Sequence, residues 1–235
     1  GQLTNGGVCR IAFSTEDGLA RQRIQNWMED AGMSIRIDAA GNIIGRYAGK
    51  REGVAALATG SHIDTVSVGG RYDGCLGVLS GIEVVQVLHE NKLRLNHPIE
   101  VIVFMDEERS MIGSKAMAGE ITEELEYYNR LNGRPIEPCL DQMGGDWSKI
   151  HTAKRDRSEI AAFVELHVEQ GGILERLQLP IGIVTGVVGQ YRFAVDIIGR
   201  PNHAGTTPMD MRKDALIAAS HIVLVVNRIA METPG

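Results

Sequence analysis

Three short polar clusters in this chain carry the residue types from which hydrolytic metal sites are built. Gly60 to Thr65 reads GSHIDT, with His62 and Asp64 two apart, and Asp73 follows in GGRYDG; Asp106 to Glu108 reads DEE; Glu165 to Gly171 reads ELHVEQG and contains His167. A divalent cation needs imidazole nitrogen and carboxylate oxygen converging on one point, and a two-metal site needs a shared carboxylate with further ligands on each side. His62, Asp73, Glu108 and His167 supply such a set. Asp64 lies on the same side of an extended chain as His62, where it can accept the second imidazole N–H and fix the tautomer, as metal-binding histidines require. Of the adjacent Glu107 and Glu108, a metal takes one comfortably, which leaves the other to accept a proton from the attacking water.

Taken singly, each residue has a plainer reading. A His or Asp at a strand end is usually a cap or a solvated group, and the DEE carboxylates could merely serve a following helix N-terminus. Their coincidence at three predicted strand ends favours the site. Other classes drop out: the sequence holds no H-E-x-x-H and no G-x-x-x-x-G-K-[ST], and GVVGQ from Gly186 does not follow the dinucleotide fingerprint. His89, His97, His151 and His221 read as structural or solvated, and Cys75 as a small buried residue at a helix start.

The elements that must position these clusters alternate along the chain. Leu19, Ile24, Trp27 and Met28 predict an amphipathic helix from Thr15 to Ala31, capped by Ser14 or Thr15 and stopped by Gly32. Strands are expected at Met33 to Asp38, Asn42 to Tyr47, Val54 to Thr59, Ile99 to Met105 and Ile160 to Val168, with a helix from Gly74 to Glu90 apolar enough to be covered on most sides. Ser110 to Arg130 and the Trp147 region read as helical or irregular. That order favours an α/β fold with a largely parallel sheet, whose ligand crevice lies beyond the carboxyl ends of its strands. The character changes near Gly186 to Gln190: a strand from Tyr191 to Ile198, a polar turn GRPNHAGTTP and an apolar helix from Lys213 to Ala230 suggest a second domain. The expected division is 1–188 and 189–235.

Composition sets the outer bounds. The 235 residues are 43% hydrophobic and 23% charged, which is globular, and 24 basic against 30 acidic residues give a net charge of −6 that suits neither nucleic acid nor an anionic membrane. No apolar run reaches the ~20 residues of a membrane span, and the N-terminus lacks the apolar stretch of a signal peptide. Three cysteines at no ligand-like spacing indicate a reducing cytoplasm. The length, between one domain and two, together with the lack of an initiator Met, suggests trimming.

GSHIDT, GGRYDGCLGVLSG, DEE, ELHVEQGGILE and GRPNHAGTTPM, in that order, resemble the N-carbamoyl-L-amino-acid hydrolase and allantoate amidohydrolase group, within the aminoacylase and carboxypeptidase G superfamily of di-zinc hydrolases. The resemblance implies a phosphorylase/hydrolase-like catalytic domain followed by the start of an inserted α+β lid and dimerisation domain. It implies two divalent ions per complete site, zinc first with manganese, cobalt or nickel as alternatives. His62 and His167 would bind one ion, Asp73 would bridge both, Glu108 would bind the second and Glu107 would be the general base. His203 would polarise the scissile carbonyl and Gln190 would touch substrate, although Gln190 reads equally well as a hinge-turn residue. The implied partners are a small ureido or carbamoyl substrate and a second copy of the chain. An aminoacylase or dipeptidase, or a catalytically incomplete binding or dimerising fragment, is the rival reading. The run RSMIGSKAMAG from Arg109 departs from the longer loop of many members and alters one pocket wall. The Asn and Arg that grip a substrate carboxylate, and a last metal His, would follow Gly235.

Overall fold

Ser14 starts helix α1 (Thr15–Asp30) by accepting from the backbone N–H of Asp17, in a computed structural model that describes every residue except Glu123, Pro234 and Gly235. The buried face of α1 is not the expected one. It carries Asp17, Arg21, Ile24 and Met28, spaced as one helical stripe, while Leu19 stands 69% exposed and Trp27 42% exposed. Half of that stripe is charged, so an apolar count misplaces the face. Arg21 reaches the carbonyl of Gly41 and the Met105 sulfur, and Asp17 accepts from the Phe13 N–H.

Five strands, β1 (Ser34–Ile37), β2 (Ile43–Tyr47), β3 (Ala56–His62), β4 (Ile99–Phe104) and β5 (Ile160–Val164), form one sheet in the order β1-β2-β4-β3-β5. β3 pairs in parallel with β4 and β5, while β2 is antiparallel to both β1 and β4, so four strands share a direction and β2 opposes them. The fold is thus mixed α/β with a mostly parallel sheet. β3 runs past Gly60 to His62, further than the apolar run indicated, because Gly60, Ser61 and His62 pair with Ile102, Val103 and Phe104. β5 stops at Val164, before ELHVEQG.

Helix α2 (Cys75–Glu90) connects β3 to β4 and lays Gly77, Val78, Gly81, Ile82 and Val85 on the sheet. Leu79, Val84 and Val87 face outward, so α2 is covered on one side rather than on most sides. Along β4 the pleat alternates: Val101 and Val103 join the core beneath α1 and α2, whereas Ile102 packs with Met117 from helix α3 (Ile112–Ala118) on the opposite face. Helices α4 (Leu125–Asn132) and α5 (Ile136–Gln142) and a 3-10 segment, Trp147–Ala153, complete that layer around Phe13, Met105, Tyr128 and Leu140. The short α6 (Ile173–Leu177) follows ELHVEQG.

The chain divides into a first unit, Gly1 to Pro180, and a second from Ile181 onward. The expected boundary at 188/189 falls inside the second unit. Within it, Tyr191 to Ile198 forms no strand among the described residues, contrary to its alternating pattern: an isolated extended segment has no ladder partner to hold it. A bridge between Arg200 and Lys213 closes the polar turn, and Asp214 caps helix α7 (Ala215–Glu232) by accepting from the Leu216 N–H. This helix is long and apolar enough to cross a membrane by length and composition, at 18 residues and mean hydropathy 1.5. The sequence reading of apolar runs did not anticipate that, since it counted uninterrupted stretches and α7 carries His221, Asn227 and Arg228. At 1.5 Å per residue it is about 27 Å long, slightly short of a ~30 Å hydrocarbon core.

Candidate active site

The carboxyl end of β3 delivers His62 into the interior, 2% exposed, with Nδ1 3.0 Å from the backbone oxygen of Asp64. A carbonyl only accepts, so Nδ1 carries a proton, and in the neutral ring Nε2 is the atom left with a lone pair. The segment beyond β5 presents His167 in the same state, its Nδ1 2.9 Å from the Val168 oxygen. Both lone pairs point toward one carboxylate: Asp73 Oδ1 lies 3.9 Å from His62 Nε2 and 3.3 Å from His167 Nε2. The two rings stack at a 5.9 Å centroid separation, and one ligand atom from each of the three residues falls within 4.8 Å of the others.

Asp73 owes its place to Gly74, whose φ of +63° starts α2 and whose missing Cβ would stand 2.5 Å from His62 Nε2. Gln170, which sequence reasoning passed over although it lies in ELHVEQG, donates from Nε2 to both Asp73 oxygens at 3.0 Å. Ser61, one residue before His62, donates to Glu165 at 2.6 Å and so ties β3 to the His167 segment.

The exit of β4 brings the two glutamates. Glu107 Oε2 is 3.6 Å from His62 Nε2, while Glu108 stands outside the three-residue cluster and senses His62 and Asp73 electrostatically. Asp64 serves this loop as well as His62. Its carboxylate accepts the backbone N–H of Glu107 at 3.3 Å and of Glu108 at 3.1 Å, and remains 3.7 Å from His62 Nδ1, which its own carbonyl holds. Sequence reasoning gave the histidine contact to the side chain; the backbone makes it. Burial raises the pKa of Asp64, Glu107 and Glu108, opposed in each case by His62. A raised carboxylate is a better proton acceptor, which suits Glu107.

Asp106 opens this loop in the left-handed region, φ +51°, with one oxygen bound by the Ser110 hydroxyl and the other unpartnered, and burial pushes its pKa up to about 7. A cavity of about 150 Å³ lined by Asp64, Asp106, Glu108 and Arg109 adjoins it. Among the set-aside residues, His97 holds the Ala55 oxygen at 2.7 Å and Cys75 accepts from Arg10 at 3.0 Å.

The remaining two candidates lie in the second unit. His203 Nδ1 accepts the backbone N–H groups of Gly205 at 3.1 Å and Thr206 at 3.2 Å, which puts its proton on Nε2. Gln190 accepts from Arg192 at 3.4 Å.

Two imidazoles whose Nε2 atoms flank one carboxylate form, in their neutral state, a donor set suited to a borderline divalent ion. His62, Asp73 and His167 therefore fit a metal.

Residues 58–233 match the model of peptidase family M20/M25/M40. The chain is 41% identical over 238 residues to an N-carbamoyl-L-amino acid amidohydrolase of Geobacillus stearothermophilus, covering 99% of this chain and 58% of that protein. It is 38% identical to a probable allantoate deiminase of Oryza sativa, covering 89% of this chain and 44% of the relative. Its fold superposes on a hydantoinase/carbamoylase family amidase from Burkholderia multivorans with a TM-score of 0.81 at 34% identity, over all of this chain and 58% of the other. The chain thus spans about half the length of the relatives it matches.

Proposed function

The chain belongs to peptidase family M20/M25/M40, and from that membership we propose that it is the metal-bearing part of an amidohydrolase that cleaves the carbamoyl C–N bond of N-carbamoyl-L-amino acids or allantoate. The observation that carries the proposal is the convergence of the His62 and His167 lone pairs on Asp73, with the Glu107 carboxylate 3.6 Å from His62. The names of these two relatives, both of which concern ureido compounds, support the substrate class.

His62, Asp73 and His167 would hold one divalent ion, and Asp73 with Glu108 would hold a second. Zinc is the first choice for imidazole and carboxylate donors, with manganese, cobalt or nickel as alternatives. When bound, such ions would supply Lewis acidity to the carbonyl and to the attacking water. Glu107 accepts the water proton as the oxygen adds to the ureido carbon, and returns it to the nitrogen that leaves when the C–N bond breaks. If the substituted nitrogen leaves as the amine, the carbamate left behind decomposes to carbon dioxide and ammonia; if ammonia leaves, the substituted carbamate decomposes to carbon dioxide and the amine. His203, with its proton on Nε2, donates to the carbonyl oxygen as charge develops there. Gln190 contacts substrate.

In this reading residues 1–188 are the N-terminal portion of the catalytic domain and 189–235 open a lid and dimerisation domain, so the working enzyme is a homodimer. The three free cysteines suit a reducing cytoplasm.

The test uses protein expressed from its complete reading frame. Ammonia released from N-carbamoyl-L-amino acids or allantoate supports the proposal; amino acid released from N-acyl substrates or dipeptides, without ureido hydrolysis, overturns it. Glu107→Gln is expected to keep its metal content and lose at least about a hundredfold in rate. Unchanged turnover would remove Glu107 from its role.

A further inference from the structure

Both ends of the loop that carries Glu107 and Glu108 are tied to a single buried side chain from the turn between β1 and β2. That side chain is Asn42, fully buried, which accepts the backbone N–H of Met105 on Oδ1 at 2.9 Å, and Met105 immediately precedes Asp106. Its Nδ2 donates to the carbonyl of Gly113 at 3.0 Å, where the same loop enters α3. The second Nδ2 hydrogen goes to Asp38 Oδ2 at 2.8 Å, and Asp38 Oδ1 in turn accepts the N–H groups of Ala40 and Asn42 at 3.0 Å.

We propose that Asn42 is a positioning residue for Glu107 and Glu108, its carboxamide clamping the entrance and exit of their loop and so fixing where they stand relative to His62. This rests on the reading in which Glu107 moves the proton and Glu108 binds metal.

Only a primary amide meets the demands of the site, which needs two donors and one acceptor in one plane. Aspartate has the same shape but offers no donor, and would set a second carboxylate against Asp38 and a lone pair against the Gly113 carbonyl. The fit is close on the other side too: a Cβ on Gly113 would run into Asn42 Oδ1 and the Met105 nitrogen. Arg21 reinforces the arrangement by holding the Gly41 carbonyl and the Met105 sulfur, so the turn and the strand exit are bound twice. No residue of this clamp belongs to the cluster of His62, Asp73 and His167. The clamp acts through the backbone, as Asp64 does with the N–H groups of Glu107 and Glu108.

The experiment compares Asn42→Asp and the milder Asn42→Ser, whose single hydroxyl cannot span both ends of the loop, with Ile24→Ala, a core truncation in α1 that controls for general destabilisation, all in protein from the complete reading frame. Each is titrated with cobalt followed by its visible absorption, melted, and assayed on a ureido substrate. The clamp variants are expected to bind cobalt roughly tenfold or more weakly, the scale of losses from residues that support ligands indirectly. They should also lose kcat with KM nearly constant, while Ile24→Ala, at matched thermal stability, keeps both. Clamp variants that lose stability alone, with cobalt affinity and kcat per folded molecule equal to those of Ile24→Ala, overturn the proposal. If Asn42→Asp does not fold, the Asn42→Ser comparison decides by the same two readouts. The cobalt titration needs no substrate, so an enzyme inactive on ureido compounds would sink the functional reading while leaving this one to be judged by metal affinity.

Discussion

Asp17 shows how a single charge buried in a helix face sets a property of the whole protein. Burial raises its pKa from 3.8 to about 6, against the pull of Arg21. Between those values the folded state holds a proton that the unfolded state has released, so stability falls as pH rises through that window. At 1.36 kcal/mol per pKa unit the drop is about 3 kcal/mol. Urea unfolding at about pH 4 and pH 6.5 should show it, and Asp17→Asn should flatten it; equal slopes in the two proteins would refute the assignment. At this scale the sequence was readable where chemistry concentrates. His62, Asp73 and His167 stand out by type and position, and the structure brings them together. The residues bonded to the ends of the Glu107 and Glu108 loop were less so. Asn42 and Arg21 have no motif, because their partners are backbone atoms far away in sequence, and a backbone acceptor leaves no trace in side-chain identity.

Elements bring the clusters together because β4, β3 and β5 are adjacent and parallel, so that GSHIDT, DEE and ELHVEQG leave the same edge of the sheet. Hydrophobic patterning located all five strands, and Ser14 and Gly32 bracketed α1 as expected. The ends were harder. Gly60 and Ser61 are poor strand formers, yet pairing with β4 carries the strand through them to His62. Tyr191 to Ile198 has the better pattern and no partner, and forms nothing regular. The junction of β3 and α2 is the most exacting. Gly74→Ala must both hold a side chain at φ +63° and place it 2.5 Å from His62 Nε2, so the variant is expected to fold with about 1–2 kcal/mol less stability and to lose at least about tenfold in metal affinity. Metal content measured after dialysis checks this; full retention would show that the loop relaxes freely.

At the scale of the molecule, the two units differ in kind. The first has its own layered core, with apolar clusters on both sheet faces. The second exposes Leu216, Val223, Leu224 and Met231 along α7, a surface apolar enough to be a contact face. Composition alone could not separate these, since both units are globular in make-up and differ only in what their apolar residues touch.

His62 ends β3 and His167 follows β5, the strand beside it, although about a hundred residues of chain lie between them. An ion held by both is therefore a cross-link that closes a long loop, available only after β3 and β5 have paired. Metal occupancy then reports on completed sheet assembly and feeds back on it. Saturation at a hundred times the dissociation constant adds about 2.7 kcal/mol by mass action, so a chelator should lower the melting temperature, and by clearly less in His167→Ala, which lacks the cross-linking ligand; an equal shift in both proteins would refute the cross-link.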